Sequence, residues 1–319
     1  MSEYNNTINI ACAVDDAFSY PLAVMLVSCL ENNKDSTVRI HLFSASMSDG
    51  YVTRFSELVK RYDQEFEFYR LNNDAFSGLP VTSRISNAAY YRILIPEHID
   101  NAVDKYLYLD ADIIVTGKLA PLFTIDMDDQ IIAAVNDVAA IDMNKHLKHN
   151  IPEEHLYFNS GVLLVDKKKW LQTNAGERVL EYRKQNNDIC DFLDQDGFNG
   201  ALYKERLNIP PKWNQQVGLF YIDREITEKA YSSGIEEAKN NPAIVHFNGS
   251  EKPWNRVSAH PYKRQFKKYA RKVKEFKYSE KPEFRKLIKR HIIYRLFGWS
   301  RVNRYYYLKT KPLNNRVAV

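Results

Sequence analysis

Two carboxylates, two residues apart, end the apolar run Tyr106-Leu107-Tyr108-Leu109-Asp110-Ala111-Asp112. In an extended chain positions i and i+2 point the same way, so Asp110 and Asp112 can converge on one cation. Left bare, the two charges would raise one another's pKa; a hard divalent ion removes that conflict and keeps positions open for phosphate oxygens. A second stretch, His246-Phe247-Asn248-Gly249-Ser250-Glu251-Lys252-Pro253-Trp254, follows the strand-like Ala243-Ile244-Val245, which sets His246 at another strand end. An imidazole added to two carboxylates shifts the expected ion from magnesium toward manganese. Gly249 permits close backbone approach, and Lys252 supplies a mobile point charge suited to a diphosphate. Each feature also has a plainer reading: Asp-x-Asp as a solvated turn, His246 as a satisfied core histidine, Lys252 as a surface charge.

The elements that would position these groups alternate. Thr7 to Val14 reads as a buried strand, Pro21 onward as a helix, Val38–Phe43 as a strand, Asp49–Tyr62 as a helix, and Glu65–Tyr69 as an alternating strand. Asn87–Ile95 reads as a helix ended by Pro96, and Lys105–Leu109 as a short strand leading into Asp110. Such alternation predicts an α/β fold, with a mostly parallel central sheet covered by helices on both faces. Ligands bind such sheets beyond the carboxyl ends of the strands, where Asp15, Asp110 and His246 all fall.

The 319 residues carry a net charge of +5, which conceals two unlike regions. From His260 onward there are 19 Lys and Arg against 3 Asp and Glu, and the rest of the chain is acidic. A boundary is expected at 258/259, with a catalytic body before it and a basic aromatic tail after it. In the tail Tyr262, Phe266, Tyr269, Val273 and Phe276, and then Phe284, Leu287, Ile288, Ile292, Leu296 and Trp299, recur at helical spacing. Two basic amphipathic helices follow, suited either to an anionic membrane surface or to packing on the body. Nucleic acid is not the expected partner, because no zinc-finger spacing or RNP-type strand accompanies the basic residues. Three widely spaced cysteines, Cys12, Cys29 and Cys190, argue against a disulfide framework or a thiolate metal site. The polar start of the chain, and apolar runs shorter than the ~18 residues of a membrane span, predict a cytoplasmic location, peripheral on the cytoplasmic face of the membrane.

Taken in order, Ala13-Val14-Asp15-Asp16, Tyr90-Tyr91-Arg92, Leu107 to Asp112, Phe158-Asn159-Ser160-Gly161-Val162, Leu193-Asp194-Gln195-Asp196 and His246 to Trp254 resemble the motifs of glycosyltransferase family 8. The resemblance spans about residues 7–258 and is strongest to bacterial lipopolysaccharide galactosyl- and glucosyltransferases. It implies a glycosyltransferase A-type, Rossmann-like fold and a UDP-hexose donor. It further implies transfer of galactose or glucose, with retention at the anomeric carbon, to a saccharide or glycolipid acceptor. Lipopolysaccharide, capsule or another cell-surface glycan is the expected product.

Residue by residue, the resemblance assigns Asp110, Asp112 and His246 to Mn²⁺ (Mg²⁺ as the alternative), with Ala111 between the carboxylates. It assigns Ala13, Val14 and Asp15 to the uracil and ribose, and Gly249 and Lys252 to the diphosphate. Arg92, Asn159, Asp194 and Gln195 fall around the hexose, with Gln195 nearest the reacting carbon. Gln195 is a poor nucleophile, so same-face entry of the acceptor is the expected route to retention, with Asp196 the fallback nucleophile. Asp194 could equally cap a helix through Phe198, Leu202 and Tyr203. Asp137 is a weaker candidate for sugar contact. The His146, His149 and His155 segment fits a lid better than a metal site. Ala17 departs from the family, which often has Asn there. The competing functions are a glycogenin-like or galactinol synthase-like transferase making a storage or soluble glycan, and a non-catalytic sugar- or RNA-binding relative.

Overall fold

The computed structural model describes residues 7–72, 88–249, 251–256, 258–276, 278 and 292–310. Its main sheet uses β1 (Thr7–Ala13), β2 (Thr37–Ser44), β3 (Glu65–Arg70), β4 (Lys105–Leu109), β6 (Ile132–Ala134), β7 (Val162–Asp166) and β8 (Arg206–Asn208), in the order β3-β2-β1-β4-β7-β6-β8. Only β7 runs against the others. A small second sheet joins β5 (Ile113–Val115), β9 (Gln215–Gln216) and β10 (Ile244–His246) in the order β5-β10-β9. The mostly parallel α/β architecture read from the alternating pattern is therefore the observed one.

The helices that matter for the site are α1 (Ser19–Asn32), α2 (Asp49–Lys60), α3 (Ala88–His98), α4 (Ala175–Gln185), α5 (Asp194–Leu202), α6 (Lys263–Ala270) and α7 (Trp299–Thr310). α1 is apolar around most of its circumference, from Pro21 to Leu30, and such a helix has to be covered on all sides. It lies in the larger of two cores, with β1, β2 and β5. Pro96, expected to end α3, instead sits inside its last turn. Lacking an N–H, it cannot make the helical hydrogen bond back to the Arg92 carbonyl.

The tail departs from expectation in its first half. Phe266 and Tyr269 of α6, with Val273 and Phe276 beyond it, are buried in the core that contains α1. The Tyr269 hydroxyl accepts a hydrogen bond of 2.8 Å from Asn32 at the end of α1. Packing is thus continuous across the boundary expected at residue 258, and this stripe covers protein rather than lipid. At about 1.5–3 kcal/mol for each large apolar side chain, the stripe contributes substantially to the body. Of the second expected stripe, Phe284, Leu287 and Ile288 lie outside the described residues, Ile292 and Leu296 are exposed, and Trp299 is half-buried.

His41 is fully buried on β2, between the Asn9 side chain and the Tyr69 hydroxyl, each at 3.1 Å. Burial lowers its pKa to about 4, only partly offset by the nearby Glu67. The unfolded chain, near 6.5, binds the proton first, so stability present above pH 6.5 falls as pH drops through 4, by up to about 1.4 kcal/mol per pH unit. Urea midpoints of wild type and His41→Gln, compared from pH 7 to 4, should converge as pH falls. Parallel curves would contradict the assignment.

Candidate active site

Register brings the three expected ligands together. β10 pairs antiparallel with β5 so that His246 faces Ile113, the residue after Asp112, and the Phe247 N–H donates to the Asp112 carbonyl at 2.9 Å. Asp110 extends β4, where its N–H donates to the Gly161 carbonyl at 2.9 Å. One ligand atom from each of Asp110, Asp112 and His246 lies within 4.8 Å of the other two. His246 Nε2 is 3.3 Å from Asp112 Oδ1 and 3.9 Å from Asp110 Oδ2.

A partner absent from the sequence reading sets the imidazole. His246 Nδ1 lies 3.0 Å from Asn214 Oδ1, and the Asn214 amide group donates to Asn159 Oδ1 at 2.8 Å. With the amide so oriented, Nδ1–H is the donor and Nε2 turns its lone pair toward two carboxylates. That arrangement needs a positive charge between them, either a proton or a metal ion. Two oxygens and a nitrogen on convergent strand ends form a donor set that fits a divalent transition ion.

The backbone of Gly161 packs closely against two of these groups. A Cβ built on Gly161 would stand 2.4 Å from His246 Cε1 and 2.6 Å from Asp110 Oδ2. Any side chain there would fill the cradle. Lys252 Nζ is 2.5 Å from Asp112 Oδ2 and donates to the Phe247 carbonyl at 2.9 Å. Burial alone would raise the Asp112 carboxyl, but Lys252 and His246 outweigh it and hold the group well below the usual carboxylate range.

Arg92, on α3, bridges the acidic groups. Its Nη2 is 3.1 Å from Asp110 Oδ1, its Nε 3.1 Å from Asp194 Oδ2, and its Nη1 donates to the Ser160 carbonyl at 2.7 Å. The guanidinium lies 4.6 Å from the centre of the Tyr108 ring, whose hydroxyl donates to Asp110 Oδ1 at 2.8 Å. Burial would weaken its hold on the proton, and Asp110 and Asp194 more than restore it. Burial pushes Asp194 up to about 6 despite the pull of Arg92, with Asp110 adding to the rise.

Asp194 opens α5 and does not cap it. The preceding Leu193 takes φ 45° and ψ −110°, and the Asp194 side chain turns to Arg92. A left-handed leucine costs on the order of 1–3 kcal/mol, and here it aims the carboxylate into the site. Gln195 Oε1 accepts from Asn159 Nδ2 at 3.2 Å and from the Ser160 N–H at 3.1 Å, while its Nε2 donates to Asp137 Oδ2 at 3.1 Å. The other Asp137 oxygen caps the short helix Val138–Asp142 through Ala139 and Ala140. Asp137, only weakly indicated by sequence, thus holds the Asn159–Gln195 pair.

Asp196 is the clear correction. It is fully buried, accepts from the Tyr157 hydroxyl at 2.6 Å and the Phe192 N–H at 2.6 Å, and lies 2.9 Å from His149 Nε2. Enclosed in this way it cannot attack a sugar. The same contacts overturn the lid: His146 and His149 are buried, and Lys145 reaches Asp191 at 2.6 Å, so the segment is pinned beneath the loop that leads into α5. No signal in the sequence marks a His149–Asp196 pair made across 47 residues.

Ala13, Val14 and Asp15 lie at the carboxyl end of β1. The β1–β4 register, Ala11 with Tyr108, carried two residues further sets Ala13 beside Asp110. Asp15 accepts from the Ala17 N–H at 3.1 Å, which shapes the turn after the strand. Ala111 is buried between the two carboxylates, and Gly249 takes φ +92°, a conformation that favours glycine.

The strand-end triad of two carboxylates and an imidazole lies beyond the carboxyl edge of a mostly parallel sheet, and the fold is of the glycosyltransferase A type. The chain belongs to glycosyltransferase family 8, whose model, "Glycosyl transferase family 8", matches residues 9–258. Among similar proteins are general stress protein A of Bacillus subtilis, 31% identical over 82% of this chain and 91% of its own length, and a lipopolysaccharide 1,2-glucosyltransferase of Escherichia coli K12, 26% identical over 82% and 76%. The crystal structure of a galactosyltransferase, LgtC, in complex with donor and acceptor sugar analogs superposes with a TM-score of 0.75 at 25% identity, over 86% of this chain and 98% of that one.

Replacing Gly161 by alanine tests the cradle directly. The added methyl should weaken Mn²⁺ binding, followed by electron paramagnetic resonance, by about tenfold or more while circular dichroism is unchanged. A variant that bound Mn²⁺ as tightly as wild type would show that the ion sits elsewhere.

Proposed function

We propose that this protein is a metal-dependent hexosyltransferase that moves glucose or galactose, with retention, from a UDP-sugar to a saccharide acceptor in the synthesis of a cell-surface glycan. The observation that carries this reading is the Asp110–Asp112–His246 cluster, with its buried imidazole lone pair and the cradle at Gly161. Family membership and the lipopolysaccharide glucosyl- and galactosyltransferases among the relatives support the hexose and the surface glycan.

Asp110, Asp112 and His246 would hold Mn²⁺, which supplies Lewis-acid stabilisation of the departing diphosphate. Lys252 neutralises Asp112 in the structure described here and is placed to turn to the diphosphate, adding positive charge where negative charge develops. Ala13, Val14 and Asp15 receive the nucleoside, and Gly249 lets the diphosphate approach the backbone. Arg92, fixed by two carboxylates and a carbonyl, orients Asp194 toward the hexose. Asn159 and Gln195 are held by Asp137, so the Gln195 carbonyl oxygen is presented without freedom to rotate. Burial of Asp196 removes the fallback nucleophile, and Asp137 and Asp194 are committed to Gln195 and Arg92; this favours same-face entry of the acceptor.

A complete cation set speaks against a non-catalytic relative. A screen of UDP-sugars with Mn²⁺, in the absence of acceptor, should reveal slow hydrolysis of UDP-glucose or UDP-galactose, reduced roughly 10²-fold or more by Asp112→Asn. Inert donors, or an unaffected variant, would sink the assignment.

Attachment to the cytoplasmic face of a membrane is the second part of the reading. Among the described residues no helix is long and apolar enough to cross a membrane. Residues 292–297 form a helix whose Ile292, Leu296 and Phe297 are 51%, 70% and 60% exposed, with Arg295 and Arg301 nearby. Apolar side chains ringed by cations suit an anionic surface, and such a surface favours an acceptor carried on lipid. Leu296→Glu/Phe297→Glu should lose co-sedimentation with phosphatidylserine vesicles, whereas undiminished binding would exclude this face. Truncation at 259 is unsuitable, because it removes the buried α6 stripe.

A further inference from the structure

Between the loop after β10 and α7 lies a cavity of about 220 Å³ whose lining, apart from the Gly249 assigned to the diphosphate, has been given no role. At roughly 30 Å³ per water it holds about seven, the bulk of one sugar ring. Tyr221, Asn248, Gly249, Asn303, Tyr306 and Tyr307 line it. Gly249 is three residues beyond His246, so this wall stands within about 11 Å of the cation cluster. The opposite wall belongs to α7, in the basic tail.

The walls are fastened to one another. Glu251, buried and also lining the cavity, accepts from the Trp299 indole N–H at 2.7 Å and from the Tyr294 hydroxyl. Tyr307 donates to Asp142 at 2.7 Å and stands 5.6 Å from Tyr221, ring centre to ring centre. Burial pushes Tyr221 up to about 12, with the charges of Asp137 and Glu251 adding to the rise. The cavity therefore lies between the loop that leads to Lys252 and the tail helix α7. Aromatic rings for the apolar face of a sugar, and amides for its hydroxyls, are the lining a saccharide site requires.

The geometry points to this cavity as the acceptor subsite, with Asn303 and Tyr306 of α7 as its specificity-determining residues, so that the tail helix selects the saccharide that receives the hexose. The inference rests on the glycosyltransferase reading and adds to it residues that lie beyond the stretch matched by the family model.

The test uses the full chain with Mn²⁺ and UDP, and follows saturation-transfer NMR to methyl α- and β-glucosides, methyl α- and β-galactosides and lactose. At least one probe should receive saturation from wild type, lose it at least fivefold in Tyr306→Ala, and keep it in Tyr306→Phe, which retains the ring. UDP affinity, measured by calorimetry, should stay within twofold in both variants. Equal transfer in Tyr306→Ala, or transfer to no probe from wild type that binds UDP, would overturn the subsite and leave the donor reading intact. Failure of wild type to bind UDP with Mn²⁺ would overturn the donor reading and the subsite with it.

Discussion

The site depends on an unbalanced charge. A histidine whose Nδ1–H is given to Asn214 has only a lone pair left at Nε2, and that lone pair faces Asp112 at 3.3 Å and Asp110 at 3.9 Å. Three such groups held so close by strand register need a positive charge among them, a proton or a metal ion. Lys252 and Arg92 partly satisfy the demand, each from the far side of one carboxylate. Both also bind a carbonyl, Phe247 and Ser160 respectively, so neither is free to enter the centre. The surrounding cations lower the cost of assembling the carboxylates while leaving the middle open.

The rest of the fold can be understood as support for that register. β4 and β5 are separated only by the Asp110-Ala111-Asp112 corner, yet they belong to different sheets, so the corner is pinned from both sides. β7 runs antiparallel to β4 and brings Gly161 against Asp110, a contact that a side chain would disrupt. The strain at Leu193 and the two-way hydrogen bonding of Asp137 act on the sugar side in the same sense. Rigid supports of this kind keep the reacting geometry without demanding rearrangement.

What the sequence disclosed was local. An apolar strand ending in Asp-x-Asp, and an imidazole ending another, carry their message in a few adjacent residues, and the strand–helix alternation carried the sheet. Long-range partners were invisible: Asn214 on His246 and His149 on Asp196 are pairings of fold, with no spacing rule to announce them. Asp196 was misread because a carboxylate beside two site residues in sequence points the opposite way on a helix. The basic tail was half misread for a related reason. Its stripe of Phe266, Tyr269, Val273 and Phe276 specifies an apolar face, and amphipathicity does not say whether protein or lipid will cover it.

That stripe has a consequence for how the chain is made. Domains fold as units during synthesis, beginning from the amino-terminal end. α1 leaves the ribosome well before part of its cover, the stripe Phe266 to Phe276, which lies more than two hundred residues later in the chain. The nascent protein must carry an uncovered apolar surface through most of its translation, and its completion is a late docking event. A chain that stopped before residue 263 would leave this part of the core without its cover.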